Sequence, residues 1–340
     1  MSGLANKFLI VSAGSIGKRH ANNIKCLYPD AKITFLHLRQ RPYANRTDEP
    51  NGFHHVYDSQ EAIADTPDVA VICSPSTTHV ALAMCLCSAG IPLFIEKPIS
   101  DNLNDLGKLI ACAEQYKIPI STGYHLRYEP CFVALQKLIR SRALGEIQHV
   151  HAEVGQYLPH WRPHMDYQNS VSAQKALGGG ALLELSHEID YVCALFGAPD
   201  YIAAQGGKLS ELAIDVEDCV DLSFTYNNTN TLIHVHLDFL QHAASRYCKI
   251  IGSTGMIYWD LIDRELWHYQ LDTLQWKACE VVPLDPKSDA YKEELSDFLS
   301  RLDDGRQMKV PLSDAQNVLE VIETARQNLA AKKTQRVILS

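Results

Sequence analysis

Phe8-Leu9-Ile10-Val11-Ser12-Ala13-Gly14-Ser15-Ile16-Gly17 is an apolar run of β-formers that breaks into a glycine-bearing turn and opens a helical stretch reaching Leu27. A strand, a tight turn and a helix start in direct succession are the setting of the GxGxxG dinucleotide fingerprint. Gly14 lets backbone approach a pyrophosphate, and Gly17 lets the helix lie close on the strand. The helix start at Ser15 and Ile16 supplies amide hydrogens and a partial positive charge to phosphates. Ser12 stands where the pattern has its first glycine.

Working outward, residues 32–38, 69–73, 93–95 and 118–122 read as further strands, with helices over 78–89 and 103–116. Strands alternating with helices imply a parallel sheet covered on both faces, and continuously apolar strands agree with burial on both sides. After Gly123 the pattern changes. Residues 128–141 and part of 178–196 read as helix, and 314–333 as a helical tail. In 219–226 and 231–239 the apolar residues alternate with polar ones, as in a sheet with one wet face. The expected fold is therefore α/β. A Rossmann domain with a doubly wound parallel sheet spans 1–122. A C-terminal α+β domain spans 123–340, built on a large, mostly antiparallel open sheet that binds substrate and makes oligomer contacts.

Composition narrows the class. The 340 residues carry 31 Lys and Arg against 40 Asp and Glu, a formal charge of −9. No stretch is strongly basic, so a nucleic-acid partner is not expected. Ten cysteines scatter through apolar runs, as reduced thiols of a cytoplasmic protein do. No charged leader precedes the first strand, and no apolar run approaches the roughly 18–20 residues that cross a membrane.

The second strand ends in His37-Leu38-Arg39-Gln40-Arg41, where NAD enzymes usually carry an acid on the ribose. Two guanidiniums suit a 2′-phosphate, which favours NADP over NAD; the plain alternative is a solvated basic loop. Glu96-Lys97-Pro98 follows another strand on the ligand edge, where a lysine can hold a substrate hydroxyl. Gly178-Gly179-Gly180 feeds a helix on which Glu184, His187 and Tyr191 are spaced to share one face, His187 opening its accessible part. A histidine there suits general acid–base work. In 156–167, Tyr157, Trp161 and Arg162 offer rings and a charge to a carbohydrate. His234, His236 and Asp238 alternate on one strand face; a metal could use them, but they are expected to be the polar face of a sheet, as are His149 and His151.

Taken together, GSIGKRH, Ser74-Pro75 leading to His79, EKP, GYHLRYEP at 123–130 and the glycine-rich HEID helix resemble the Gfo/Idh/MocA oxidoreductase family over nearly the whole chain. The resemblance implies a nicotinamide cofactor contacted by Ser12, Gly14, Ser15, Ile16, Gly17, Arg39, Arg41, Ser74, Pro75, His79, Glu96 and Lys97. It implies that Lys97 works at the reacting carbon, that His187 is the acid/base, and that Asp190 is the aspartate of HxxD. Tyr124, Arg127 and the 156–167 residues then complete a sugar or polyol site. Many members have an aspartate four residues before the histidine; that position is Leu183 here, and Glu184 is the candidate replacement. The expected reaction is hydride transfer between nicotinamide and a carbinol carbon, with no metal, in a homo-oligomer (dimer or tetramer). A redox-neutral glycosidase-type enzyme and a non-enzymatic sensor are the alternatives.

Overall fold

The computed structural model describes residues 5–38 and 50–331. β1 (Lys7–Val11) is flanked by β2 (Lys32–Leu36) and β4 (Val69–Ile72), both parallel to it. Adding β3 (His54–Val56), β5 (Leu93–Glu96) and β6 (Ile120–Gly123) gives a six-stranded parallel sheet in the order β3-β2-β1-β4-β5-β6. The crossovers are α1 (Ser15–Leu27), α2 (Ser59–Ala64), α3 (His79–Ser88) and α4 (Leu106–Tyr116). Every residue of β4, β5 and β6 is buried. The chain steps away from β1 on both sides, so the β1–β4 border is where the strand order reverses and where such sheets bind ligands beyond their carboxyl ends.

The second sheet has eight strands in the order β14-β13-β12-β11-β7-β10-β9-β8. They are β7 (Ile147–Gly155), β8 (Tyr201–Gly207), β9 (Cys219–Thr225), β10 (Leu232–Asp238), β11 (Ser245–Gly252), β12 (Gly255–Asp260), β13 (Glu265–Gln270) and β14 (Gln275–Ala278). All neighbours are antiparallel except β7 and β10. Val220, Leu222, Phe224, Ile233, Val235 and Leu237 are buried on one face, as the alternation requires. The helices of this half are α5 (Pro130–Arg140), the single turns α6 (Leu158–Trp161) and α7 (Ala181–Glu184), and α8 (His187–Phe196).

Two helices follow the second sheet, α9 (Ala290–Asp304) and α10 (Leu312–Ala331). The described residues divide into two units, Met1–Tyr128 with Asp285–Gln316, and Glu129–Leu284 with Asn317–Ser340. The first unit is thus discontinuous, whereas the sequence suggested one cut near residue 122. The reason is apolar burial: Leu295, Phe298 and Leu299 of α9 and Met308 complete the core of Phe8, Ile10, Ile33, Phe35 and Phe94. All ten cysteines are free. Among the described residues no helix is long and apolar enough to cross a membrane.

Candidate active site

The turn after β1 is tight enough to force Ser12 to φ +80°, the left-handed region that glycine adopts at less cost. Its amide still donates to the Leu36 carbonyl at 2.9 Å. Gly17 makes this closeness possible, because a Cβ there would collide with the Ser12 carbonyl oxygen. Gly14 caps α1 with extended backbone, no side chain caps the helix, and its first turn carries no acid. A Cβ built on Gly14 would meet nothing nearer than Ser12 Oγ at 4.0 Å. Open space before an uncapped helix start is an anion cradle, and it fits a pyrophosphate. His37, at the end of β2, lies 2.9 Å from His55 and stacks on Tyr57. Arg39 and Arg41 fall outside the described residues.

Two more strand ends lie on the same edge. After β4, Ser74 is buried and its hydroxyl accepts from Thr78 Oγ1 at 2.7 Å, while the Pro75 carbonyl accepts from the same hydroxyl at 2.8 Å. β5 ends in Glu96, buried, and is followed by Lys97, half-buried, with a cis bond to Pro98. His79 is buried, its ring nitrogens 2.7 Å from the Ser74 carbonyl and 3.0 Å from that of Pro98. Burial lowers its pKa against the pull of those carbonyls. What His79 gives this edge is the placement of two loops, its ring being engaged by protein. Glu96 Oε1 lies 2.7 Å from His20 Nε2 on α1, and a carboxylate oxygen of Glu294 on α9 lies within 4.8 Å of both. Burial, then Glu96 and Glu294, push the nearby Cys73 thiol well up.

In the second unit the 178–191 segment departs from one continuous helix. α7 ends at Glu184, Leu185 leaves helical geometry (φ −97°, ψ 23°), and α8 begins afresh at His187. Glu184 and His187 therefore sit on two short helices, at the end of one and the start of the next, and not on one continuous helix. Glu184 accepts a hydrogen bond from Ser172 Oγ at 2.6 Å. Gly180 has φ +108°, and a side chain there would overlap the Glu217 carboxylate, which accepts from Leu182 N at 3.1 Å. His187 sits in the first turn of α8 and is only 6% exposed, so it does not open an accessible stretch; Asp190, one turn on, is fully buried. Glu188 between them takes a forked ion pair from Arg246, at 2.7 and 3.1 Å.

The remaining expected residues divide between the two units. Tyr124 is buried, and Arg127, also buried, donates to Asp314 at 2.6 Å, so its charge is matched within the first unit. Tyr157 lies 4.2 Å from the His242 ring centroid. Trp161 is half-buried, donates to the Gln156 carbonyl at 3.1 Å and meets Phe239 edge-on. Arg162 is exposed. Sequence reasoning missed Glu294, which no local motif marks. His20 was visible as the last residue of GSIGKRH, but its partner was not.

This arrangement matches known proteins. Residues 6–124 match the oxidoreductase family with an NAD-binding Rossmann fold, and residues 132–258 match the GFO/IDH/MocA C-terminal domain. A trans-1,2-dihydrobenzene-1,2-diol dehydrogenase of Xenopus tropicalis is 25% identical over 272 residues, 78% of this chain and 77% of the relative. A myo-inositol 2-dehydrogenase of Thermotoga maritima is 23% identical over 334 residues, 96% of each chain. A levoglucosan dehydrogenase solved with NADH and levoglucosan has the same fold, with a TM-score of 0.82 at 20% identity, covering 96% of this chain and 98% of that one. The anion cradle after β1, Lys97 after β5, the histidine-bearing α8 and both family matches lead to one statement: the chain belongs to the Gfo/Idh/MocA family of NAD-binding oxidoreductases.

Proposed function

We propose that the protein is a dehydrogenase of a sugar, sugar derivative or polyol, using NADP or NAD, with Lys97 and His187 as its proton-handling residues. The observation that carries this reading is the first unit's ligand edge, where one strand end forms an anion cradle and another presents a lysine. Bound nicotinamide supplies the hydride acceptor or donor. Gly14, Ser15, Ile16 and Gly17 hold the pyrophosphate by main-chain amides and the positive end of α1. Ser74 and Pro75 shape the adjoining wall. Lys97 orients the substrate carbinol and stabilises negative charge on its oxygen as the C–H bond breaks. His187 takes that hydroxyl proton, or returns it in the reverse direction. Asp190 and Glu184 support the histidine, and Tyr157, Trp161 and Arg162 contact the sugar. Arg39 and Arg41 recommend NADP as a cofactor at least equal to NAD. The enzyme works in the cytoplasm as a homo-oligomer joined through the second sheet.

The test is a screen of purified protein with NADP and NAD against myo-inositol, levoglucosan, aromatic dihydrodiols, nucleotide sugars and acidic sugars, read as reduced nicotinamide. Net reduction with at least one cyclic carbinol is expected. Cofactor binding without net reduction across the panel, with loss of substrate by bond cleavage, sinks the dehydrogenase reading.

A further inference from the structure

We propose that His20 and His79 form a buried bracket that positions Lys97, gripping the chain on either side of it. The inference rests on the reading of Lys97 as a proton-handling residue. On one side, His20 Nε2 holds Glu96 Oε1 at 2.7 Å, and His20 is 0% exposed. Its ring meets Phe94 edge-on at 5.3 Å, and Phe94 in turn meets Phe298 of α9 at 5.5 Å. The imidazole is thus fixed by packing as well as by its hydrogen bond. On the other side, His79 is 1% exposed and sits between the Ser74 and Pro98 carbonyls, 2.7 and 3.0 Å from its ring nitrogens, so that the neutral ring donates to one carbonyl and packs against the other at the turns after β4 and β5.

Lys97 is the one residue between the two gripped positions, and it is less buried than either neighbour. Its long side chain has four rotatable bonds, so its reach is set by where its Cα is held. Fixing residues 96 and 98 fixes that Cα. The two histidines come from different elements, α1 and the start of α3, so the bracket ties Lys97 to the helix that opens at the anion cradle. A shift of about 1 Å in such a group costs on the order of 10²-fold in rate. A histidine used only as core filling would not need its ring nitrogens on the carboxylate and carbonyl flanking one lysine.

The experiment is a set of cycles with Lys97→Met, using myo-inositol or whichever member of the panel is turned over fastest. His20→Leu and His79→Leu are expected to lower kcat roughly 10- to 100-fold. In His20→Leu the Kd for reduced cofactor should stay within about threefold, because the hydrogen bond of the His20 ring goes to Glu96 and not to the Gly14–Gly17 turn or to Ser74 and Pro75. His20→Gln, which keeps a nitrogen near Glu96, should recover most of the loss. In the Lys97→Met background the same changes should alter the residual turnover less than about twofold, since residues acting as one unit are non-additive. Should the leucine variants not fold, His20→Gln and His79→Asn enter the same cycle. Full additivity with Lys97→Met overturns the bracket. So does unchanged kcat in folded His20→Leu and His79→Leu when Lys97→Met alone is crippled. Normal turnover of Lys97→Met overturns the functional reading itself, and the bracket with it.

Discussion

The two sheets use histidine in opposite ways. Around the six-stranded sheet, His20 on α1 and His79 at the start of α3 are buried against strand ends and contact main chain or a carboxylate. In the eight-stranded sheet, His149, His151, His234 and His236 stand on a strand face that solvent reaches, with His151 opposite His234 and Glu153 opposite His236. A parallel sheet covered on both sides has only its ends free for ligands, so chemistry collects there. A sheet with one wet face can carry polar residues along its whole width. Position, more than residue type, then decides whether a histidine is buried against a strand end or set on a wet face.

The largest test of that difference is activity. Lys97→Met and His187→Ala should each lower turnover by roughly 10²–10⁴-fold, the usual worth of a positioned proton-transfer group. His234→Gln, on the wet face, should stay within about twofold. A loss from His234→Gln comparable to that from Lys97→Met, measured on the panel substrate, would erase the distinction between ends and face.

The next effect separates two glycines of one turn. Gly17→Ala forces a methyl against the Ser12 carbonyl and should cost about 3 kcal/mol of stability, read by denaturant titration. At Gly14 a Cβ meets open space, so Gly14→Val should cost less stability than Gly17→Ala, on the order of 1 kcal/mol, as an unfavourable N-cap does. It should also weaken cofactor binding tenfold or more, about 1.4 kcal/mol. A folded Gly14→Val protein with normal cofactor affinity would remove the cradle from the argument.

On the wet face, the hydrogen bond to Asp238 raises the His236 pKa to about 9, against burial and with help from Asp221. Protonation of the folded state is therefore favoured. The stabilisation is complete below about pH 6.5, the ordinary histidine value, and disappears as pH rises through about 9. Stability should fall by on the order of 2 kcal/mol across that window, and His236→Gln should flatten the slope. A wild-type slope retained in His236→Gln would assign the titration to another group. The smallest expected effect is cofactor choice: NADP should bind at least as tightly as NAD, and a tenfold preference for NAD, about 1.4 kcal/mol, would mean that Arg39 and Arg41 serve something else.

Much of this was legible in the sequence, for physical reasons. Strands buried on both sides leave unbroken apolar runs, and β1, β4 and β5 were read from them. β9 and β10 were read from period-two alternation. β3 has three residues and α2 six, too short to show a period. α9 was not among the helices read from the sequence, and no pattern within it could say which core receives it. Strand-end motifs pointed to the candidate site, because turn chemistry is local. The break at Leu185 was hidden, since neither Leu185 nor Ser186 is a helix breaker in the way Pro is. The grip on Lys97 joins residues on four separate segments, and nothing at residue 20 or 79 alone announces it.

The place of α9 has a consequence for how the chain is made. Leu295, Phe298 and Leu299, which close the core beneath β1 and β2, leave the ribosome only after the whole second sheet, from Ile147 to Ala278, has been synthesised. The first six strands must wait with part of their apolar surface uncovered, a slow, non-local closure of the kind that exposes nascent chains to aggregation. A nascent chain arrested before Asp289 should therefore expose a protease-sensitive, chaperone-binding form of the cofactor half, and synthesis through α9 should end that exposure.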